Sequence, residues 1–165
     1  MKDSIFQSLN EQANHELFAA HSYLAMALWC KDRDFNGYAD FFWQQSAEEK
    51  EHADKFQKHL LDRSKMPLPG ALEAPRTNFP SLIDVARHAL ALEETNSAKI
   101  QACYALSEEE KDYASLPMLL WFINEQVEEE DWAHTMITLT ARAECAGAIY
   151  NLDRHIVKEL TSDDE

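Results

Sequence analysis

The 165 residues carry 30 Asp and Glu against 15 Lys and Arg, a formal net charge of −15, with only 3 Gly and 5 Pro. That acidity excludes a general nucleic-acid binder, because every phosphate contact would oppose the overall field, and it favours attraction of metal cations. So few turn residues exclude a sandwich or barrel of many short strands, whereas 45% hydrophobic residues, among them 4 Trp, 5 Tyr and 8 Phe, allow a sizeable core in a single domain, 1–165.

Met1-Lys2-Asp3-Ser4 opens an amphipathic pattern with no apolar leader before it. No Gly or Pro interrupts Met1 to Asn36, and the spacing predicts a first helix over about 4–32, with Ser4 as N-cap. Its core face reads Ile5, Leu9, Glu16, Ala20, Tyr23, Ala27. The nearly apolar run from Leu17 to Cys30, broken by His21 and Ser22, is too short and polar to cross a bilayer. A second helix is predicted over about 35–63, with Tyr38, Phe42, Gln45, Glu49, His52, Phe56 and Leu60 on its core face. Ser64 to Pro80, holding Pro67, Pro69, Gly70, Pro75 and Pro80, reads as an irregular link. The third helix, about 81–109 from an N-cap at Ser81, faces the core with Leu82, Ala86, Leu90, Glu93, Ser97, Ile100 and Tyr104. The fourth, about 113–144, does so with Leu119, Phe122, Gln126, Glu129, Ala133, Met136 and Thr140. Beyond Gly147 a short fifth helix is predicted over about 150–160. The charge runs Glu108-Glu109-Glu110 and Ser162-Asp163-Asp164-Glu165 read as a solvated turn and tail.

The length of the link sets the topology. A helix of some 29 residues is about 43 Å long, and an extended link of 17 residues reaches roughly 56 Å. The link can therefore run the full height of a bundle, making the second and third helices parallel, while short connections make the other neighbours antiparallel. That is an all-α four-helix bundle with one long crossover. Cys30, Cys103 and Cys145 lie far apart and form no CxxC pair, so they read as reduced, intracellular thiols in a cytoplasmic protein.

Each long helix carries an acidic residue on the face that should be dry, near its mid-length. Glu16, Glu49, His52, Glu93, Gln126 and Glu129 should therefore converge. Stripping water from even one unpaired charge costs several kcal/mol, and no Lys or Arg lies on these faces to neutralise four carboxylates. Two divalent cations would. Carboxylate oxygens plus one imidazole suit Fe(II) or Mn(II) better than zinc. Glu49-x-x-His52 puts two ligands one turn apart, as di-iron bundles do. The Asp131-x-x-His134 pair lies about 200° around its helix from Glu129 and reads as surface or interface. Tyr23, two turns after Glu16, is either a packing residue or a redox-active or carboxylate-binding phenol. Trp29, Trp43, Trp121 and Trp132 read as packing or subunit contacts. Glu48, Glu125 and Glu128 each precede a core-face residue by one, forming either a solvated acidic face or a third, more exposed metal site.

Three stretches, Asn10-Glu11-Gln12-Ala13-Asn14-His15-Glu16-Leu17, Glu48-Glu49-Lys50-Glu51-His52 and Asn124-Glu125-Gln126-Val127-Glu128-Glu129-Glu130, resemble those of bacterial non-haem ferritins. The helix lengths, long crossover and short last helix agree over essentially the whole chain. The resemblance implies a ferroxidase, oxidising Fe(II) with O2 or H2O2, and a hollow shell of 24 subunits that stores ferric mineral. It implies that Glu16, Glu49 and His52 hold one iron, that Glu49 bridges to a second held by Glu93 and Glu129, and that Gln126 lies beside it. By the same resemblance Glu48, Glu125 and Glu128 match a third iron site and Tyr23 the tyrosine of the family. Bacterioferritins place a haem-ligand Met where this chain has Lys50, and a second ExxH where it has Gln126-x-x-Glu129, so no haem is expected. The run Leu116-Pro117-Met118-Leu119-Leu120 stands where ferritins often line threefold pores with acid, so Leu116, Met118 and Leu119 are expected to form an apolar neck there and iron to cross the shell elsewhere. A di-iron oxygenase or radical-generating subunit is the first rival reading; it would normally want a second ExxH. A mini-ferritin-like or purely structural bundle is the second, and four core-face carboxylates oppose it.

Overall fold

The computed structural model describes residues 1–161, and the acidic run Ser162–Glu165 lies outside the described residues. Their order is α1 (Asp3–Lys31), α2 (Asn36–Asp62), α3 (Leu82–Glu109), α4 (Leu116–Arg142), α5 (Ala146–Asp153) and α6 (Ile156–Thr161). The predicted core faces of α1, α2 and α4 are buried residue for residue. On α3 the buried face is turned slightly: Val85, Ala89, Asn96 and Cys103 join it, while Leu90 and Tyr104 are only half-buried.

Contacts along the link establish the directions. Lys65, just past α2, pairs with Asp3 at the start of α1. Asn10 and Asn14 then hold the link: Asn10 accepts from Leu68 N at 2.7 Å, Asn14 accepts from Gly70 N at 2.7 Å, and both amides donate to Leu68 O at 3.1 Å. Phe79, just before α3, meets Trp29 edge-on near the end of α1, with ring centroids 5.8 Å apart. The link thus runs the length of α1, and α2 and α3 lie parallel as a four-helix bundle with one crossover. Side chains replace the missing backbone ladder along this irregular segment.

Three helix ends share one closure. Asp34, Ser64 and Lys111 adopt positive φ of 61°, 56° and 57°. The next amide in each case bonds back five residues, Phe35 to Cys30, Lys65 to Leu60 and Asp112 to Ser107. These are Schellman closures built without glycine. Ser4 proves to lie inside the first turn, because α1 begins at Asp3 and its N-cap is Lys2. Ser81 is the N-cap of α3, but its hydroxyl donates to Asp84 Oδ2 at 2.6 Å and caps no backbone N–H. The start expected for α4 at about 113 moves to Leu116. Asp112 and Ser115 are tied to Arg63 and His59 from the end of α2, and Pro117 occupies the first turn, where its missing N–H costs nothing. The single helix expected over 150–160 is two, α5 and α6, with Arg154 and His155 between them. The break turns Asp153 toward α2, where it caps the helix start, and sets Ile156 into the core.

The apolar core falls into two clusters. One gathers Tyr23, Met26, Phe41, Phe42, Val85 and Met136; the other gathers Ile5, Leu9, Phe56, Leu60, Ile100, Leu119 and Phe122. Leu119 is fully buried inside this second cluster, so it lines no pore; the apolar-neck expectation fails at that residue because the fourth helix turns it toward Phe56 and Ile100 rather than outward. Between the clusters, at mid-height, lies a belt of buried polar side chains.

Candidate metal centre

The belt is made by all four long helices. α1 supplies Gln12, Glu16 and Tyr23; α2 supplies Glu49 and His52; α3 supplies Glu93, Asn96 and Ser97; α4 supplies Gln126 and Glu129, and every one of these is buried. Steps of three, four and seven residues keep each set on one helical face. Glu16, Glu49 and His52 bring one ligand atom each within 4.8 Å of one another. His52 Nδ1 lies 3.4 Å from Glu49 Oε2, and Glu49 Oε1 is buried with no hydrogen-bond partner. Glu93 accepts from the Tyr23 hydroxyl and, at 3.1 Å, from Gln126 Nε2. The Tyr23 hydroxyl thus binds a carboxylate, and its ring stacks on Phe42.

The electrostatics follow from burial. It pushes the Glu49 carboxyl well above the usual range, and the nearby charges of Glu93, Glu16 and Glu129 push the same way. Burial raises Glu129 well above that range too, with Glu93 and Glu48 adding to the effect. Glu16 is raised by burial and partly restored by hydrogen bonds from its neighbours. Burial lifts Glu93 to about 7 against the donors Tyr23 and Gln126. His52 is pushed down to about 4 by burial and by the Lys55 charge, so it is neutral and free to donate a lone pair at neutral pH. A cluster of acids that cannot all ionise beside one neutral imidazole accommodates multivalent cations.

The second acidic set divides. Glu48 and Glu125 gather with His52 and Glu129 into a further group whose ligand atoms lie within 4.8 Å. Glu128 is exposed and belongs to neither compact group, although it lines the same cleft of about 660 Å³ as Glu48, Glu125 and Glu129. Asp131 and His134 are exposed along that cleft.

Three residues at the centre escaped the sequence reading. Trp132, expected as a packing or subunit contact, donates from Nε1 to Glu129 Oε2 at 2.5 Å. Its position three residues after Glu129 was the available signal. Gln12 and Asn96 contact Glu16. Gln12 stands one turn before Glu16 and Asn96 three residues after Glu93, but amides at such positions are common on helices and single out no partner.

A one-crossover four-helix bundle with buried carboxylates and a histidine at mid-height defines a class, the helical bundles that build metal sites from facing acidic side chains. Within that class, a family model described as "Ferritin-like domain" matches residues 6–143. The chain belongs to the ferritin-like family. It is 39% identical over 137 residues to the bacterial non-heme ferritin of Staphylococcus saprophyticus, covering 83% of this chain and 82% of that protein. It is 34% identical over 157 residues to the bacterial non-heme ferritin of Staphylococcus aureus, covering 94% of this chain and 95% of that protein. Among solved structures, an open pore ferritin from the archaeon Archaeoglobus fulgidus superposes with a TM-score of 0.92 at 27% identity, covering 94% of this chain and 97% of its own. A closed form of that ferritin, engineered by site-directed mutagenesis, superposes at 0.91 and 28% identity, covering 94% of this chain and 96% of its own.

Proposed function

We propose that this chain is an iron-storage ferritin with ferroxidase activity, acting as a single domain over 1–165 and assembling as a shell of 24 subunits in the cytoplasm. The observation that carries the reading is the gathering of four buried carboxylates and His52 at mid-height, with the buried Glu49 Oε1 lacking a hydrogen-bond partner and placed to take a cation. Its relatives named non-heme ferritins support iron as that cation.

Fe(II) is the substrate. Glu16, Glu49 and His52 hold one ion; Glu49 bridges to a second held by Glu93 and Glu129, with Gln126 beside it. The carboxylates bind Fe(II) by releasing the protons that burial had retained, while the already neutral imidazole offers its lone pair without losing a proton. Each iron loses one electron. Two electrons and two protons reduce O2 to H2O2, or H2O2 to two waters. Tyr23 keeps Glu93 oriented through its hydroxyl. Fe(III), a stronger Lewis acid, hydrolyses and moves to the cavity as mineral. Glu48, Glu125 and Glu128 form a third, more exposed iron site along the cleft. The proposal includes no haem, nucleic acid or membrane partner. None of the described helices is long and apolar enough to cross a bilayer.

Replacing Glu49 by Ala or His52 by Ala removes ligands while leaving both apolar clusters intact. Stopped-flow absorbance after Fe(II) addition should lose its rapid phase in both variants, with rates falling at least tenfold. Parent-like initial rates in both would sink the dinuclear assignment.

A further inference from the structure

We infer that Gln12 and Asn96 are positioning residues that lock the Glu16 carboxylate into the orientation in which it shares a divalent cation with Glu49 and His52, an inference that rests on reading that cluster as an iron site. Both are amides in the dry centre of the bundle, 2% and 0% exposed. Polar side chains persist at such depth when their hydrogen bonds are made. Gln12 Nε2 donates to Glu16 Oε1 at 2.8 Å and to Asn96 Oδ1 at 2.7 Å. Asn96 Nδ2 donates to Glu16 Oε2 at 3.0 Å, with Gln126 Oε1 at 3.5 Å. Each Glu16 oxygen therefore has its own amide donor, one from α1 and one from α3, and the two amides hold each other.

The arrangement is over-determined. Turning the Asn96 amide over would set its carbonyl oxygen against the Glu16 carboxylate and its NH2 against that of Gln12. A carboxylate oxygen accepts more than one bond, so one amide on each leaves a lone pair free for a cation. Glu93 is held in a similar way, by Tyr23 and Gln126. Glu49, placed between them, is the member with a free oxygen. Two carboxylates held by donors on α1 and α3 thus stand near the α2 carboxylate, whose Oε1 is left for a cation. Hydrogen-bond partners of this kind tune affinity as well as geometry.

Co(II) titration of the metal-free protein, followed by visible ligand-field absorption, tests the assignment. Asn96→Leu keeps a similar volume without the donor and should weaken the first Co(II) equivalent about 10-fold and alter its bands, while the far-UV circular-dichroism spectrum stays that of the parent. Gln12→Met should shift affinity and spectrum in the same direction, and serves where Asn96→Leu fails to fold. Folded variants with the parent's affinity and spectrum would overturn the positioning role alone. A parent that shows no Co(II) bands sensitive to Glu49→Ala would overturn the metal-site reading itself, and the inference with it.

Discussion

At the scale of single residues the site is a balance between burial and charge. Glu93 is lifted from an ordinary 4.5 to about 7 by burial, so it is mostly protonated at pH 6. Raised in the fold, its contribution to stability is present in full below 4.5 and is lost as pH rises through about 7. His52 runs the other way: burial lowers it from 6.5 to about 4, so its contribution is present above 6.5 and is lost as pH falls toward 4. A cation that binds at pH 6 must displace the Glu93 proton. Calorimetry of Zn(II) binding in buffers of different ionisation enthalpy should show about one proton fewer released by Glu93→Gln than by the parent. Equal release would mean that Glu93 is not in the first coordination of the metal. The acidic members of the belt were legible because a charge on a dry helical face is conspicuous. The donors Trp132, Gln12 and Asn96 were not, because neutral amides and indoles fit many surroundings without strain.

At the scale of elements, the helices end by side-chain and backbone devices that composition hides. Three Schellman closures use Asp34, Ser64 and Lys111 where glycine is the common choice. The start of α2 is capped from a distance: Asp153 Oδ1 accepts from Gly37 N at 3.0 Å and Tyr38 N at 3.2 Å. A methyl group on Gly37 would stand 1.7 Å from the Asp153 carbonyl oxygen, a backbone atom with nowhere to go. Gly37→Ala should therefore push α5 away and cost about 1–3 kcal/mol, read as a lower thermal midpoint. Asp153→Ala should be destabilising as well, through two unmet backbone donors. The double variant should cost less than the two singles combined, since both break one contact. Full additivity would show that Gly37 and Asp153 act independently. Gly37 was visible as a breaker, but that it meets α5 was not, because the two are 116 positions apart.

At the scale of the whole molecule, the acidic surplus and the exposed apolar side chains belong together. Leu28, Leu61, Met66, Leu68 and Leu72 stand out on α1, at the end of α2 and along the link. Burying them between copies of the chain would repay the repulsion expected from a charge of −15 per subunit. Sedimentation should give a particle of about 24 times the 19.0 kDa chain, and a monomer or dimer at micromolar concentration would remove the shell from the proposed function. At the start of α4, Leu119 lies inside the bundle, while Leu120 is exposed and Pro117 half-buried.

Helical periodicity by itself determined the four long helices, the buried faces of α1, α2 and α4, and the convergence of Glu16, Glu49, His52, Glu93, Gln126 and Glu129, because every residue on a helix has its direction set by arithmetic at 3.6 residues per turn. The length of the link determined that it could span the bundle. Only the tertiary structure decided what lies between those directions. Hydrogen bonds across helices depend on side-chain rotamers and on interaxial rotation, and neither is encoded in spacing. That is why the Asn96 and Gln12 amides, the Trp132 indole and the break between α5 and α6 emerged only from the packed bundle.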